Sequence, residues 1–150
     1  MIKEYFIDGN NLIGKIPELW ELQKSVRQIS REKLAFKIDS YFYESAQDVT
    51  IFFDGFANEP IPTNKARIIY CDNRTADEEI KSAIMRAKNP KTICVVSSDH
   101  SVMQFAKVSS CKVIKSEIFA DKLTRKKNKS SEEARIKDIS NDEIKKLFGL

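Results

Sequence analysis

Four aspartates, Asp8, Asp54, Asp77 and Asp99, are the residues of this chain best placed to do chemistry, because each stands where a strand gives way to a turn or a helix begins. Asp8 ends the apolar run Tyr5-Phe6-Ile7 and precedes the turn Gly9-Asn10-Asn11, Asp54 follows Ile51-Phe52-Phe53, and Asp99 follows Val95-Val96-Ser97-Ser98. Asp77 lies in the first turn of a helix that Thr75 opens. In a parallel sheet all C-terminal strand ends share one edge, so carboxylates far apart in sequence converge there. Asp77 precedes Ile80 and Ile84 by three and seven residues, which predicts a place on the buried stripe, facing the sheet. Converging carboxylates repel by up to about 4 kcal/mol per pair at about 4 Å and an effective dielectric of about 20, so a cation is needed to hold them together. With one histidine, His100, and no suitably placed cysteine, only hard oxygen donors remain, which suits Mg²⁺ or Mn²⁺ rather than zinc. Magnesium readily accepts phosphate oxygens, and phosphodiester hydrolysis is the reaction such a site would run.

Each residue also has a structural reading. Asp8 would cap its turn, and Asp99, or Ser98 in its place, would cap the following helix. Glu78 completes the capping box Thr75-Ala76-Asp77-Glu78, a role equal in weight to one in the site. Asp54 precedes Gly55 as a turn pair would, and both readings stand. Asn11 would either bond the turn or orient a ligand water, while Ser97 and Ser98 would position a water or phosphate or simply cap. His100 is either an exposed helix-start residue or an RNA contact. Trp20, off the apolar stripe of its helix, would pack on a loop or stack on a base.

The elements that must position these side chains alternate. Strand-like segments are Ile2–Ile7, Val49–Phe53, Arg67–Tyr70, Thr92–Val96 and Lys112–Ile114, near-continuous apolar runs as expected of a parallel sheet covered on both faces. Helical spacing runs through Leu19, Leu22, Val26 and Ile29 behind Pro17, then through Leu34, Ile38, Tyr41 and Phe42 behind Ser30 as an N-cap. Further helices are predicted from Thr75, from Ser98 or Asp99, and from Ser116. The segment 54–66, with its prolines and asparagines, reads as a long surface loop. These elements predict an α/β fold, a three-layer α/β/α sandwich around a central, mostly parallel five-stranded sheet.

The chain has 150 residues, 41% hydrophobic and 32% charged, which fits one globular domain without a membrane span or signal peptide. Its three separated cysteines predict buried, reduced thiols and a cytoplasmic protein. A net charge of +4 is too small to argue for nucleic acid, but Lys122 to Lys129 carries five basic residues and no acid. That run is a solvated linker or a stripe for phosphates, with Arg125, Lys126, Lys127 and Lys129 as the RNA contacts. The predicted organisation is a catalytic domain over 1–124, a basic linker over 125–139, and a closing helix over 140–150 whose Ile144, Leu147 and Phe148 dock on the same domain.

The segments YFIDGNNLIG, TIFFDG, TADEEI and VVSSDHSV, in this order, resemble the YacP-like branch of the NYN domains, which are PIN-like nucleases. The resemblance covers residues 1 to 124 and extends to the closing SNDEIKKLFG. It implies a PIN-like fold, a Mg²⁺- or Mn²⁺-dependent endoribonuclease, metal-binding acids at Asp8, Asp77 and Asp99, and support from Asn11 and Glu78. It also implies RNA, and mRNA at the ribosome, as partners. Many members carry a further aspartate just past the one matching Asp99, whereas this chain reads HSVMQF there. The alternative is thus a non-catalytic RNA- or ribosome-binding module with a degenerate nuclease site. A phosphotransfer domain of receiver type fits less well, since it needs a lysine at the end of the fifth strand, a place only Lys115 approaches.

Overall fold

A computed structural model of the chain describes residues 1–125. The strands are β1 (Glu4–Asp8), β2 (Asp48–Phe53), β3 (Arg67–Tyr70), β4 (Ile93–Val96) and β5 (Lys112–Ile114), all parallel in the order β3-β2-β1-β4-β5. Helices α1 (Gly9–Ile13), α2 (Pro17–Ser25) and α3 (Arg27–Tyr41) join β1 to β2; α4 (Ala76–Arg86) joins β3 to β4, α5 (His100–Val108) joins β4 to β5, and α6 begins at residue 116 and is helical through 125.

Alternation along each strand divides the core into two layers. Ile7, Val49, Ile51, Phe53, Cys94 and Val96 pack with Leu12, Leu19, Leu34, Ile38, Phe42 and Phe119 on the face of α1, α2, α3 and α6. Phe6, Phe52, Ile93 and Val95 pack with Ile80, Ile84, Val102 and Ala106 on the face of α4 and α5. The chain winds outward from β1 through β2 to β3, returns to the other side of β1 as β4, and continues to β5. Crossovers of one hand therefore place helices on both faces. This is the expected sandwich. Its strand order also differs from the 2-1-3-4-5 order of receiver domains, which removes the phosphotransfer reading.

Local expectations are corrected at the end of β1 and at the start of α3. Gly9-Asn10-Asn11 is the start of helix α1 rather than a turn. Ser30 does not cap a helix: α3 already starts at Arg27, and the buried Ser30 hydroxyl donates to the Leu19 carbonyl at 2.8 Å, tying α3 to α2. The cause is Val26, whose extended φ of −134° interrupts the helix and rotates the stripe that follows, leaving Val26 and Ile29 exposed and turning Ser30, Leu34 and Ile38 inward.

The long loop after β2 is confirmed, but it is firmly held. The Asp39 carboxylate, on α3, accepts the backbone N–H groups of Asn64, Lys65 and Ala66 at 2.9, 2.7 and 2.7 Å, and these bonds hold its pKa below the usual carboxylate value against the opposing effect of burial. Gln28 donates to the Glu59 carbonyl at 3.1 Å. The three cysteines are buried and free, with burial pushing the Cys71 thiol up to about 12 and that of Cys94 to about 11, so neither is a reactive thiolate. No helix among the described residues is long and apolar enough to cross a membrane.

Candidate active site at the C-terminal edge of the sheet

In open α/β sheets ligands bind beyond the carboxyl ends of the strands, where the strand order reverses. Here that point lies between β1 and β4, which pair through Ile7 and Val96, so Asp8 and Ser97 leave the sheet side by side. Asp8 is 6% exposed. The Ser97 hydroxyl donates to its Oδ2 at 2.8 Å and accepts the Asp99 N–H at 3.1 Å. Burial pushes the Asp8 pKa up to about 6; the Ser97 hydroxyl opposes that rise, the charges of Asp54 and Asp99 add to it, and the Asn11 N–H lowers it.

Gly9 lets the start of α1 lie this close to β2. A Cβ there would stand 2.7 Å from the Phe53 ring and 2.8 Å from the Phe52 carbonyl oxygen. The next two residues then reach outward in opposite directions. Asn10 Oδ1 accepts the Asp54 N–H at 2.9 Å, linking the site to β2. Asn11 Oδ1 accepts the Ser98 N–H at 2.9 Å and the Ser116 hydroxyl at 2.7 Å, linking β1, β4 and the start of α6.

Of the remaining predicted residues, Asp54 and Asp99 act on Asp8 through their charge, and the rest have mixed outcomes. Asp99 is exposed and caps α5, its Oδ1 accepting the Val102 N–H at 3.1 Å. Asp54 is exposed and its Oδ1 accepts the Ala76 N–H at 2.8 Å, so it supports the first turn of α4. Glu78 shows the structural half of its reading: its N–H bonds the Thr75 hydroxyl at 3.1 Å, while its carboxylate points out to Arg74 at 3.4 Å. Asp77 departs from the expected orientation. Its side chain is 30% exposed and pairs with Lys81 at 2.7 Å, because an i,i+4 lysine competes for it from the solvent side of the stripe. Lys81 also reaches Ser101 and lies 5.8 Å from the centre of the Phe105 ring, so the pair bridges α4 and α5. Trp20 is 44% exposed, with Lys24 over its ring, and His100 is exposed at the start of α5. Arg125 lies in α6, paired with Asp121 at 3.7 Å, so the predicted linker starts inside a helix; Lys126, Lys127, Lys129 and the helix over 140–150 lie outside the described residues.

Sequence reasoning missed Glu117, whose carboxylate accepts the Ser98 hydroxyl while that hydroxyl accepts the Ser116 N–H at 2.9 Å. The Ser98 bond and the N–H of Glu117 itself lower its pKa, with Lys15 and Lys115 adding to the effect. An acid in the first turn of the helix after β5 thus reaches the edge where the sequence lacks one after Asp99. The available signal was its position three residues past the end of β5, at the same sheet edge as the other acids.

The donor set suits a hard divalent cation. Asp8 is a buried carboxylate destabilised by neighbouring negative charge, Asp54 and Asp99 contribute that charge, and every candidate donor is oxygen. As the side chains stand, no group of three or more His, Cys, Asp or Glu among the described residues is closed around a metal position.

The sequence profile of the YacP-like NYN domain matches residues 5–147. Among solved structures, a point mutant of Rae1 (YacP) from Bacillus subtilis is similar with a TM-score of 0.76 and 22% identity, covering 93% of this chain and 85% of that one. Another structure of Rae1 (YacP) from Bacillus subtilis is similar with a TM-score of 0.68 and 25% identity, covering 98% of this chain and 92% of that one. No curated protein sequence matches.

Proposed function

Because the chain belongs to the YacP-like NYN domain family, which has the PIN-like nuclease fold, we propose that it is a metal-dependent endoribonuclease hydrolysing RNA phosphodiester bonds. The observation that carries this reading is Asp8: a buried carboxylate at the topological switch point, its pKa pushed up to about 6, beside the charges of Asp54 and Asp99. A Mg²⁺ or Mn²⁺ ion would be held by Asp8 and Asp99, with Asp77 joining on exchange of its Lys81 partner and with Asp54, Asn11, Glu78 and Ser98 in support. When bound, such an ion activates water and offsets charge building on the phosphate.

The chain's own residues have separable tasks. Ser97 fixes the rotamer of Asp8 by donating to its Oδ2, and the Asn11 N–H adds a second bond to the carboxylate. Asn11 fixes the Ser98 backbone, and so the approach of Asp99. Lys15 and Lys115, on the same side as Glu117, supply positive charge for phosphates, joined by Arg125, Lys126, Lys127 and Lys129. An mRNA presented by the ribosome is the substrate that the sequence resemblance suggests.

Asp8→Asn should lower Mn²⁺-dependent cleavage of single-stranded RNA by at least about a hundredfold while the variant remains folded by circular dichroism. A fully active Asp8→Asn would refute the proposal. The pairing of Asp77 with Lys81 favours a second reading, an RNA- or ribosome-binding module without efficient chemistry. Ribosome co-sedimentation that survives both Asp8→Asn and chelator, with no cleavage of translating mRNA, would support that one instead.

A further inference from the structure

On the β2 side of the acid pocket the loop 54–66 presents Phe56, 60% exposed and two residues past Asp54. Its backbone is fixed from beneath: Arg31 Nη1 donates to the Phe56 carbonyl at 3.0 Å, Arg31 Nη2 to that of Asp54, and the Asp72 N–H to that of Gly55 at 2.9 Å. Arg31 is 2% exposed, its guanidinium 5.4 Å and 5.5 Å from the ring centres of Phe53 and Tyr70, and its Nε has no acceptor among the described residues. A guanidinium buried against carbonyls rather than a carboxylate is a costly device. What it secures is a rigid loop with an aromatic ring turned outward beside the site.

On the β5 side stand two exposed lysines. Lys115 lies at the start of α6, its carbonyl accepting the Ile118 and Phe119 N–H groups at 3.0 and 3.1 Å, and Lys15 follows α1. Both charges act on Glu117, which holds the Ser98 hydroxyl. Asp8 and Asp99, after β1 and β4, lie between the two flanks, which neighbouring-strand spacing puts ~14 Å apart.

We propose that a single strand of RNA crosses this edge transverse to the β-strands, with one unpaired base stacked on Phe56 and a phosphate held by Lys15 and Lys115. The intervening phosphodiester then passes over Asp8 and Asp99. A base locked in a duplex cannot open onto the ring, so unpaired RNA is the favoured ligand. The inference rests on the nuclease reading and specifies how that site takes its substrate.

The test is a titration of the full chain, in chelator, with a single-stranded oligoribonucleotide carrying a fluorescent adenine analogue, alongside cleavage assays in Mn²⁺. Wild type should quench the analogue and bind the matching duplex more weakly. Phe56→Ala should abolish quenching and weaken binding about 5- to 100-fold with the salt dependence unchanged, and Phe56→Tyr should restore both. The double variant Lys15→Ala/Lys115→Ala should instead reduce the slope of log affinity on log salt by about 1.4 and keep quenching at saturation. If wild type cuts RNA but Phe56→Ala binds and quenches as wild type does, the stacking inference fails while the nuclease reading stands, and a protein partner becomes the occupant of that ring. If wild type neither binds nor cuts single-stranded RNA, both fail.

Discussion

Asp8 pairs a cost in stability with the metal-holding role proposed for it, and pH separates the two. Its carboxyl has an ordinary value of 3.8 and a folded value of about 6, so between these the native state holds more proton than the unfolded chain. Its contribution to stability is therefore greatest below 3.8, declines as pH rises to about 6, and stays lower by about 3 kcal/mol above that. Asp8→Asn should make the protein about 1–3 kcal/mol more stable to urea than wild type at neutral pH and nearly equal near pH 4. A variant less stable at neutral pH would show that Asp8 is held by favourable contacts instead. Gly9→Ala has the opposite sign. Its Cβ must push against the Phe52 carbonyl and the Phe53 ring, so we expect a loss of about 1–3 kcal/mol in urea unfolding, and of cleavage activity as Asn10 and Asn11 shift.

Among the elements, strands were the most legible, because burial on both faces writes them as short apolar runs, and helix starts at Thr75 and Asp99 carried their caps in the sequence. Long-range polar pairings were not legible. Arg31 and Asp39 sit on the inward face of α3 that also carries Leu34, Ala35 and Ile38, and their partners are carbonyls and N–H groups of a loop more than twenty residues away. A polar residue on a buried stripe was the only signal, used for Asp77 and overlooked here. For Asp77 the same rule failed, because Lys81 one turn on draws the side chain outward. The loop-anchoring role makes a direct prediction: Arg31→Ala strands the carbonyls of Asp54 and Phe56 and should cost about 2–4 kcal/mol in urea unfolding, with limited proteolysis moving into 54–66. Unchanged protease resistance of that loop would contradict it.

For the whole molecule, the strand order reversal brings Asp8 and Ser97 together at one edge of the sheet, and the charge around that edge bears on the ligand proposed for it. A net charge of +4 is unremarkable, but Lys15 and Lys115 stand at the sheet edge near the acids there, and the sequence adds a basic run at 125–129. Replacing Lys126, Lys127 and Lys129 together by alanine should lower the salt slope of RNA binding by about 2 without changing cleavage at saturating RNA. The central claim, a divalent ion gathered by carboxylates from separate elements, is tested most directly by Mn²⁺ anomalous diffraction from crystals of the full chain. The account predicts a peak in contact with Asp8 and Asp99, with Asp77 released from Lys81 to meet it. A peak away from Asp8, or none at saturating Mn²⁺, would contradict it.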